Sequence, residues 1–347
     1  MAVTIHDVAA AAGVSIATAS RVLTGRRNVS PQSARAVLAA SERLGYRPNT
    51  AARSLRTRST ATVGMVVPGI SNPYFPLLVE AVERRLSATG RELLLCDSQN
   101  EVGIEAARVD ALLGRRVDGL LFVACDSEAS APTVARAAGQ VPVVQMDRHV
   151  DGHDGDFVGV DNETGMRDVL EHLTATGRRT FAFVSSETID SSARVRLRVF
   201  REVLGAVDAA SADRVLLGQY SVEWGAEAVR RLLAMGPLPD AVVCGADIIA
   251  LGAIAALAEA GVRVPADVAV TGFDDIAFAA ISAPSLTTLR QPADAIGAEG
   301  VRMLEERLRG DAKPYQRRTF RPHLVVRASS APAAPPAEGR VSAARPG

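Results

Sequence analysis

Apolar residues recur at helical spacing through the first 45 residues, in three short stretches separated by turns. The first stretch begins after Thr4, which can cap a helix, and ends at Gly13, which tolerates the positive φ of a tight turn. Ser15 caps the second stretch at once, and the third is bounded by Ser30 and Gly45. Two short helices joined in this way can hold the second one in the major groove of DNA. The pattern therefore predicts a helix–turn–helix over about residues 4–24, supported by a third helix.

From residue 61 onward the pattern changes to apolar runs that alternate with helical stretches. The strand-like runs are TVGMVVP, ELLLCD, VDGLLFVA, VPVVQM, TFAFVS, DAVVCGA and DVAVTGF. The helix-like stretches lie near residues 74–89, 103–116, 163–176, 221–234, 247–261 and 293–309. Nearly continuous apolar strands with helices between them indicate parallel sheets that are covered on both faces. About 270 residues are too many for one such sheet, so we expect two α/β lobes.

Charge separates the two parts of the chain. The whole sequence is neutral, with 39 basic and 39 acidic residues. Residues 1–60, however, carry nine arginines against only Asp7 and Glu42, a net charge of +7 that the remainder balances with −7. This asymmetry indicates that the head, and not the body, meets a phosphate backbone.

The segment YRPNTAARSLRTR, residues 46–58, predicts a short helix that needs a partner. Asn49 can cap it after Pro48, but two helical turns are too few to be stable alone in water. Small residues such as Ala52 would let two copies approach closely, and Leu55 could enter the minor groove as a wedge between base steps. We expect a linker in the free protein that becomes helical on DNA.

The head resembles the LacI/GalR family of bacterial transcription regulators. The matching strings are TIHDVA, AGVS, TASRVL, VSPQS, LGYRPN and AARSL, and the resemblance continues to about residue 330. It implies a two-lobed, periplasmic-binding-protein-like (type I) core with parallel sheets and a small-molecule effector between the lobes. It also implies a homodimer on a pseudo-palindromic operator with a central CG step. The protein is expected to be a repressor controlled by its effector.

The expected organisation has four parts. These are a DNA-binding domain at 1–47, a hinge at 48–60, an effector-binding core at 61–330 and a disordered tail at 331–347. Within the core the first lobe comprises about 61–160 and 290–320, and the second about 161–289 and 321–330. The tail has no leucine heptad, which favours a dimer over a larger assembly.

The predicted DNA contacts come from the head and the hinge. Arg21 can donate two hydrogen bonds to a guanine, whereas Ile16 and Ala17 can read only shape and thymine methyl groups. The complete set is Thr4, Ser15, Ile16, Ala17, Thr18, Ser20, Arg21, Asn28, Asn49, Ala52 and Leu55.

The predicted effector contacts lie where strands end, because ligands of open parallel sheets bind at that edge. The resemblance implies roles for Arg196 and Asp274 in binding ligand hydroxyl groups. The complete set is Asn72, Tyr74, Phe75, Asp147, Ser192, Arg196, Tyr220 and Asp274. Asp147 and its neighbour Arg148 either face the cleft or pair across the crossover between lobes, and Asp275 is expected to cap a turn.

Two departures from the family pattern bear on the ligand. Ala246 stands where an asparagine is common, and Asp190 stands where a purine-binding member would have a positive side chain. Both departures argue against a purine as the effector. A sugar or related polyol is therefore the expected effector. A corepressor-dependent regulator sensing a nucleoside or purine, and an architectural DNA-binding protein without an effector, remain the alternatives.

Other classes find little support in the sequence. Phosphate-binding, dinucleotide-binding and nucleophile-elbow motifs are missing, so we expect no enzyme and no cofactor. The acidic and histidine residues of the loop 149–156 lack the regular spacing that converges metal ligands, so we expect no metal site. The cysteines at 96, 125 and 244 are expected to be buried and reduced. No signal peptide or membrane span is evident, and a cytoplasmic location is expected.

Overall fold

The structure is a computed structural model that describes residues 3–23, 29–46, 59–205, 209–311 and 313–331. The chain divides into two compact units, Met1–Ala61 and Thr62–Gly347. The predicted tail falls almost entirely outside the described residues, as does the hinge between residues 47 and 58.

The first unit contains three helices around a small apolar core. They are α1 (Ile5–Ala11), α2 (Ile16–Leu23) and α3 (Pro31–Leu44). Val8, Ala19 and Val37 are fully buried where the three helices meet. Each helix supplies one or two apolar side chains to this core, as the helical spacing predicted.

The predicted caps of these helices are confirmed. The Thr4 hydroxyl accepts a hydrogen bond from the Asp7 amide at 3.4 Å, and the Thr4 amide donates to the Asp7 carboxylate at 2.8 Å. Ser15 accepts from the Thr18 amide at 3.1 Å. Gly13 has a φ of +64°, so the chain turns between α1 and α2 through a conformation that glycine adopts at little cost.

The second unit alternates strands and helices along its whole length. Its strands are β1 (Thr62–Val67), β2 (Glu92–Asp97), β3 (Gly119–Phe122), β4 (Val143–Met146), β5 (Asp156–Val160), β6 (Phe181–Ser186), β7 (Val215–Gly218), β8 (Ala241–Cys244), β9 (Ala269–Thr271), β10 (Thr288–Arg290), β11 (Arg317–Phe320) and β12 (His323–Val325). Its helices are α4 (Tyr74–Ala88), α5 (Val102–Gly114), α6 (Ala131–Ala138), α7 (Asn162–Ala175), α8 (Ser191–Gly205), α9 (Ala209–Asp213), α10 (Val222–Met235), α11 (Asp247–Glu259), α12 (Ala277–Ile281) and α13 (Ala293–Leu308).

These strands form two parallel sheets and one antiparallel pair. The first sheet has the order β11-β5-β4-β3-β1-β2, and the second has the order β7-β6-β8-β9. β10 pairs with β12 in antiparallel register. All residues of β3 and of β6 are buried, as expected for parallel strands that carry helices on both faces. The predicted fold class, a helical head and a core of parallel α/β sheets, is therefore confirmed.

The chain passes between the two sheets through three connecting segments. It leaves the first sheet after β5, returns to it between β10 and α13, and crosses again from β11 to β12. The carboxyl ends of the strands in both sheets are thereby brought towards one region, where a ligand can contact each sheet.

Two of the sequence expectations differ from the structure. β5 begins within the segment expected to be an exposed loop, because Asp156 is buried and paired with Arg307 at 2.7 Å. Cys96 is only partly buried, since it lies on β2, one of the two edge strands of the first sheet. Cys125 and Cys244 are buried, and all three thiols are free.

Candidate DNA-binding face and effector cleft

Helix α2 and its cap residue Ser15 carry six of the eleven predicted DNA contacts. Ile16, Ala17 and Arg21 are exposed, as is Ser15, whereas Ala19 lies in the core. The side chain of Ile16 is 44 % exposed and is therefore accessible to a partner.

The other predicted DNA contacts divide into two groups. Thr18 and Ser20 are partly buried, and Thr4 is exposed but engaged in the cap of α1. The remaining four, Asn28, Asn49, Ala52 and Leu55, lie outside the described residues.

A cavity of about 700 Å³ lies in the second unit, at the carboxyl ends of strands from both sheets. The first sheet contributes residues that follow β1 and β2, including Asn72, Phe75 and Gln99. The second sheet contributes residues that follow β6 and β7, including Asp190 and Tyr220. A volume of this size is typical of small-molecule sites.

The predicted effector residues fall into two groups in the structure. Asn72, Phe75 and Tyr220 line the cavity. The other five, Tyr74, Asp147, Ser192, Arg196 and Asp274, are buried but do not line it. Most of this second group is held by hydrogen bonds to the protein itself.

Arg196 is held by partners from two other segments. Its Nε donates to Asn162 Oδ1 at 2.7 Å, and its Nη1 donates to the Gly245 carbonyl at 2.6 Å. Its guanidinium carbon lies 3.5 Å from the centre of the Phe273 ring. Arg196 thus joins α8, the start of α7 and the end of β8 in one buried contact.

Asp274 is a buried carboxyl that accepts a hydrogen bond from Gln291 Nε2 at 2.7 Å. Burial raises the pKa of Asp274 to about 7, although the nearby Arg196 guanidinium opposes this shift. Burial also raises the pKa of Asp247 well above its ordinary value, and the charge of Asp274 adds to that shift. Ionisation of both carboxyl groups at the same time is therefore disfavoured.

The expectation that Asp275 caps a turn is wrong. Its carboxylate pairs instead with Arg290 at 2.6 Å and with Arg327 at 2.7 Å. Arg290 is the last residue of β10, and Arg327 follows β12. The two ion pairs therefore connect the loop after β9 to both of these segments.

Ser192 and Asp147 join the segment after β4 to α8. The Ser192 hydroxyl donates to the Asp147 carbonyl at 3.0 Å and accepts from Asn162 Nδ2 at 3.3 Å. Burial raises the pKa of the Asp147 carboxyl, and it raises the pKa of the neighbouring Tyr74 phenol well above its ordinary value.

Arg148 both faces the cleft and pairs across the crossover, so the two alternatives left by the sequence hold together. Its side chain is 3 % exposed and lines the cavity. Its Nε lies 3.6 Å from Asp190 and 3.7 Å from Asp147. Its guanidinium carbon lies 5.5 Å from the ring centre of Phe75 and 5.0 Å from that of Tyr220.

Sequence reasoning treated Asp190 only as a departure from a family pattern, but the structure gives it a central position. Its carboxylate accepts from the Ala193 amide at 2.9 Å and from the Tyr220 hydroxyl at 3.3 Å. The sequence signal was present, since Asp190 immediately precedes α8, where an acid can cap a helix.

The cavity is acidic. The charged residues that line it in the described part of the chain are Arg148 and four acids, namely Asp97, Glu101, Glu187 and Asp190. A surplus of three negative charges disfavours an anionic ligand, because Coulomb repulsion acts over short distances in a partly enclosed site. Neutral and cationic ligands remain compatible with this lining.

The segment 149–156 contains residues with partners inside the protein. Asp151 pairs with Arg194 at 2.8 Å, and the His149 ring packs edge-on against Phe157 at 5.0 Å. Among the described residues no group of three or more His, Cys, Asp and Glu side chains is placed to hold a metal ion. In the same part of the chain no helix has both the length and the apolar character of a membrane span.

Comparison with known proteins decides the family. Residues 4–49 match the model of bacterial regulatory proteins of the lacI family, and residues 170–330 match a periplasmic binding protein-like domain. The chain is 33 % identical over 327 residues to the HTH-type transcriptional repressor PurR of Mannheimia succiniciproducens, covering 94 % of this chain and 98 % of the relative. The chain belongs to the lacI family of bacterial regulatory proteins.

Solved structures agree with this assignment. The lac repressor dimer bound to operator and the anti-inducer ONPF is 28 % identical, with a TM-score of 0.85 over 95 % of this chain and 99 % of that one. A complex of the transcriptional regulator CelR with cellobiose is 32 % identical, with a TM-score of 0.71 over 94 % and 99 %. The predicted family, the two-lobed fold and a DNA-binding regulatory function are confirmed. The family is one of transcriptional regulators rather than enzymes.

Proposed function

We propose that this protein is a transcriptional repressor that binds its operator as a homodimer and responds to a non-ionic sugar or related polyol in the cleft. The cavity carries the proposal, because both sheets line it with amide, hydroxyl and carboxylate groups beside the aromatic rings of Phe75 and Tyr220. Hydroxyl groups both donate and accept hydrogen bonds, so a polyol can satisfy such a mixed lining. The similarity to a regulator solved with cellobiose supports this ligand class.

The DNA-binding part of the proposal rests on the exposed face of α2. Arg21 would donate to O6 and N7 of a guanine in each half-site, while Ile16 and Ala17 would contact thymine methyl groups. The basic charge of residues 1–60 would supply the contacts to phosphate. A dimer with two-fold symmetry requires a pseudo-palindromic operator, and the hinge residue Leu55 would open its central CG step. Similarity to a lac repressor dimer on operator supports the dimeric state.

Effector and operator would be coupled through the arrangement of the two lobes. Both lobes line the cavity, and β1 of the first lobe begins directly after residues 59–61, so a ligand that changes the lobe arrangement also acts on the segment leading to the head. Linkage requires that DNA and effector change each other's affinity by the same factor, typically about 1–3 kcal/mol.

Selection of DNA fragments bound by the full chain tests the operator. We expect a two-fold symmetric sequence with a guanine in each half-site, whose replacement weakens binding by about 1–3 kcal/mol. Arg21→Ala should abolish that guanine preference. A selected direct repeat, or an asymmetric site, would contradict the proposed arrangement.

A ligand screen tests the cleft. We would measure the melting temperature and the operator affinity of the full chain with cellobiose, ribose, glucose 6-phosphate and adenine. A neutral sugar should raise the melting temperature and change the operator affinity, and the anionic phosphate should do neither. A response to adenine alone would favour a nucleoside- or purine-dependent regulator. No response in a broad sugar and nucleoside library would favour an architectural protein.

A further inference from the structure

The guanidinium of Arg148 covers both aromatic rings that line the cleft. Phe75 comes from α4 beside the first sheet, and Tyr220 follows β7 of the second sheet. The guanidinium carbon lies over each ring, at 5.5 Å and 5.0 Å from their centres. These distances are within the range in which a cation is attracted to the face of an aromatic ring.

One nitrogen of the Arg148 guanidinium, Nε, is a buried donor without an acceptor among the described residues. Its two ion pairs at 3.6 Å and 3.7 Å are longer than a hydrogen bond. An arginine carries five N–H donors in a planar fork. A buried donor without an acceptor is costly, so the protein alone does not satisfy this guanidinium. Because the side chain lines the cavity, a molecule inside the cavity can supply acceptors to the guanidinium fork.

Asp190 supplies the complementary group beside this donor. Its carboxylate lies next to the guanidinium and lines the same cavity. Two adjacent hydroxyl groups could each accept from the guanidinium and donate to the carboxylate. An anion could use only the guanidinium and would be repelled by the four acids of the lining.

We propose that Arg148 determines the ligand specificity of the cleft. Its guanidinium covers Phe75 and Tyr220, so flat aromatic ligands cannot stack on these rings. Together with Asp190, it binds adjacent hydroxyl groups of a non-ionic ligand. The proposal rests on the proposed function, since it takes the cleft to be the effector site. Within that function, Arg148 is the residue that discriminates between polyols and planar rings.

The first test removes the guanidinium from the two rings. In Arg148→Ala the faces of Phe75 and Tyr220 become available, so the variant should bind adenine at least about ten-fold more tightly than the wild type in calorimetric titrations. Methylguanidinium should raise the melting temperature of Arg148→Ala in a saturable manner, because it refills the space beside Asp190. It should have no such effect on the wild type.

Arg194→Ala is the matched control. It removes an arginine that is close in the chain to Asp190, but its side chain is 38 % exposed and paired with Asp151. This variant should behave like the wild type towards adenine and methylguanidinium. If circular dichroism shows that Arg148→Ala does not fold, Arg148→Gln replaces it, since the shorter neutral amide also uncovers the rings. A folded variant that gains neither adenine nor methylguanidinium binding would overturn the proposal, as would a wild type that binds adenine equally well.

The second test concerns the hydroxyl groups. Arg148→Lys keeps the positive charge but loses the forked donors, so it should bind the sugar identified in the screen at least about ten-fold more weakly. Unchanged affinity would refute the role of the fork. If no sugar binds the wild type, the proposed function and the hydroxyl contact fail together, whereas the adenine and methylguanidinium measurements still judge whether Arg148 covers the rings.

Discussion

Arg196→Ala should destabilise the core strongly, although the family resemblance assigns this residue only to the ligand. The substitution leaves Asn162 Oδ1 and the Gly245 carbonyl without their donors and removes a cation from the Phe273 ring. Each hydrogen bond to a charged group contributes about 1.5–3 kcal/mol, and the unpaired acceptors stay buried. Because such terms are not additive, we expect a total loss of about 3–5 kcal/mol in the free energy of unfolding.

Urea-induced unfolding of the full chain, followed by far-ultraviolet circular dichroism at pH 7, measures this loss. Arg198→Ala is the matched control, because it lies two residues further along α8 with a side chain that is 48 % exposed and paired with Glu163 and Glu202. Its loss should stay below about 1 kcal/mol. An Arg196→Ala variant as stable as Arg198→Ala would show that the buried contacts do not stabilise the core. A ligand-binding defect without a stability defect would assign Arg196 to the ligand alone.

Three further measurements test other parts of the molecule. Burial raises the pKa of Asp274 to about 7, so the stability that its protonated form contributes is complete below about pH 4 and is lost as the pH rises through about 7. The urea midpoint of Asp274→Asn should therefore fall less between pH 5 and pH 8 than that of the wild type, and an equal fall would contradict the shift. Gly225→Ala places a Cβ against the Ile249 carbonyl oxygen of the neighbouring helix and should cost at least about 2 kcal/mol in thermal unfolding. Gly103→Ala is the control, because its Cβ would meet no other part of the structure within 4 Å, and it should be neutral or stabilising. Leu55→Ala should weaken operator binding at least about ten-fold in fluorescence anisotropy with an unchanged melting temperature, and a lower melting temperature with unchanged affinity would place Leu55 in a core.

The strands of the two sheets could be predicted only where their sequences are continuously apolar. β3 and β6 are buried at every position, and their apolar runs are evident in the sequence. β11 was not predicted, because it is an edge strand whose exposed Arg317 and Arg318 interrupt any apolar run in the sequence. β5 escaped for a different reason. It begins with Asp156, a buried acid that an arginine 151 residues away neutralises, and no local pattern can reveal such a partner.

The candidate site shows the same division between local and distant information. Asn72 and Phe75 follow the first strand and line the cavity, which the position of the strand end was sufficient to predict. The setting of Arg196 depends on Asn162 and Gly245, which are 34 and 49 residues away in the chain. Helical spacing showed which face of α8 carries Arg196, but the identity of its partners is a property of the packed core.

The contacts at the cleft also limit which ligands can act as effectors. Hydrogen bonds already join the lobes in this arrangement, since the Ser127 amide donates to the Ile189 carbonyl at 2.8 Å and the His149 amide donates to Ser191 Oγ at 3.0 Å. A ligand can shift the lobes only by binding one arrangement more tightly than another. On the proposed function, a ligand held by Arg148, which follows β4 of the first lobe, and by Asp190 in the second lobe contacts both lobes and can meet that condition. A ligand that reaches only one of these two residues should therefore bind without changing the operator affinity.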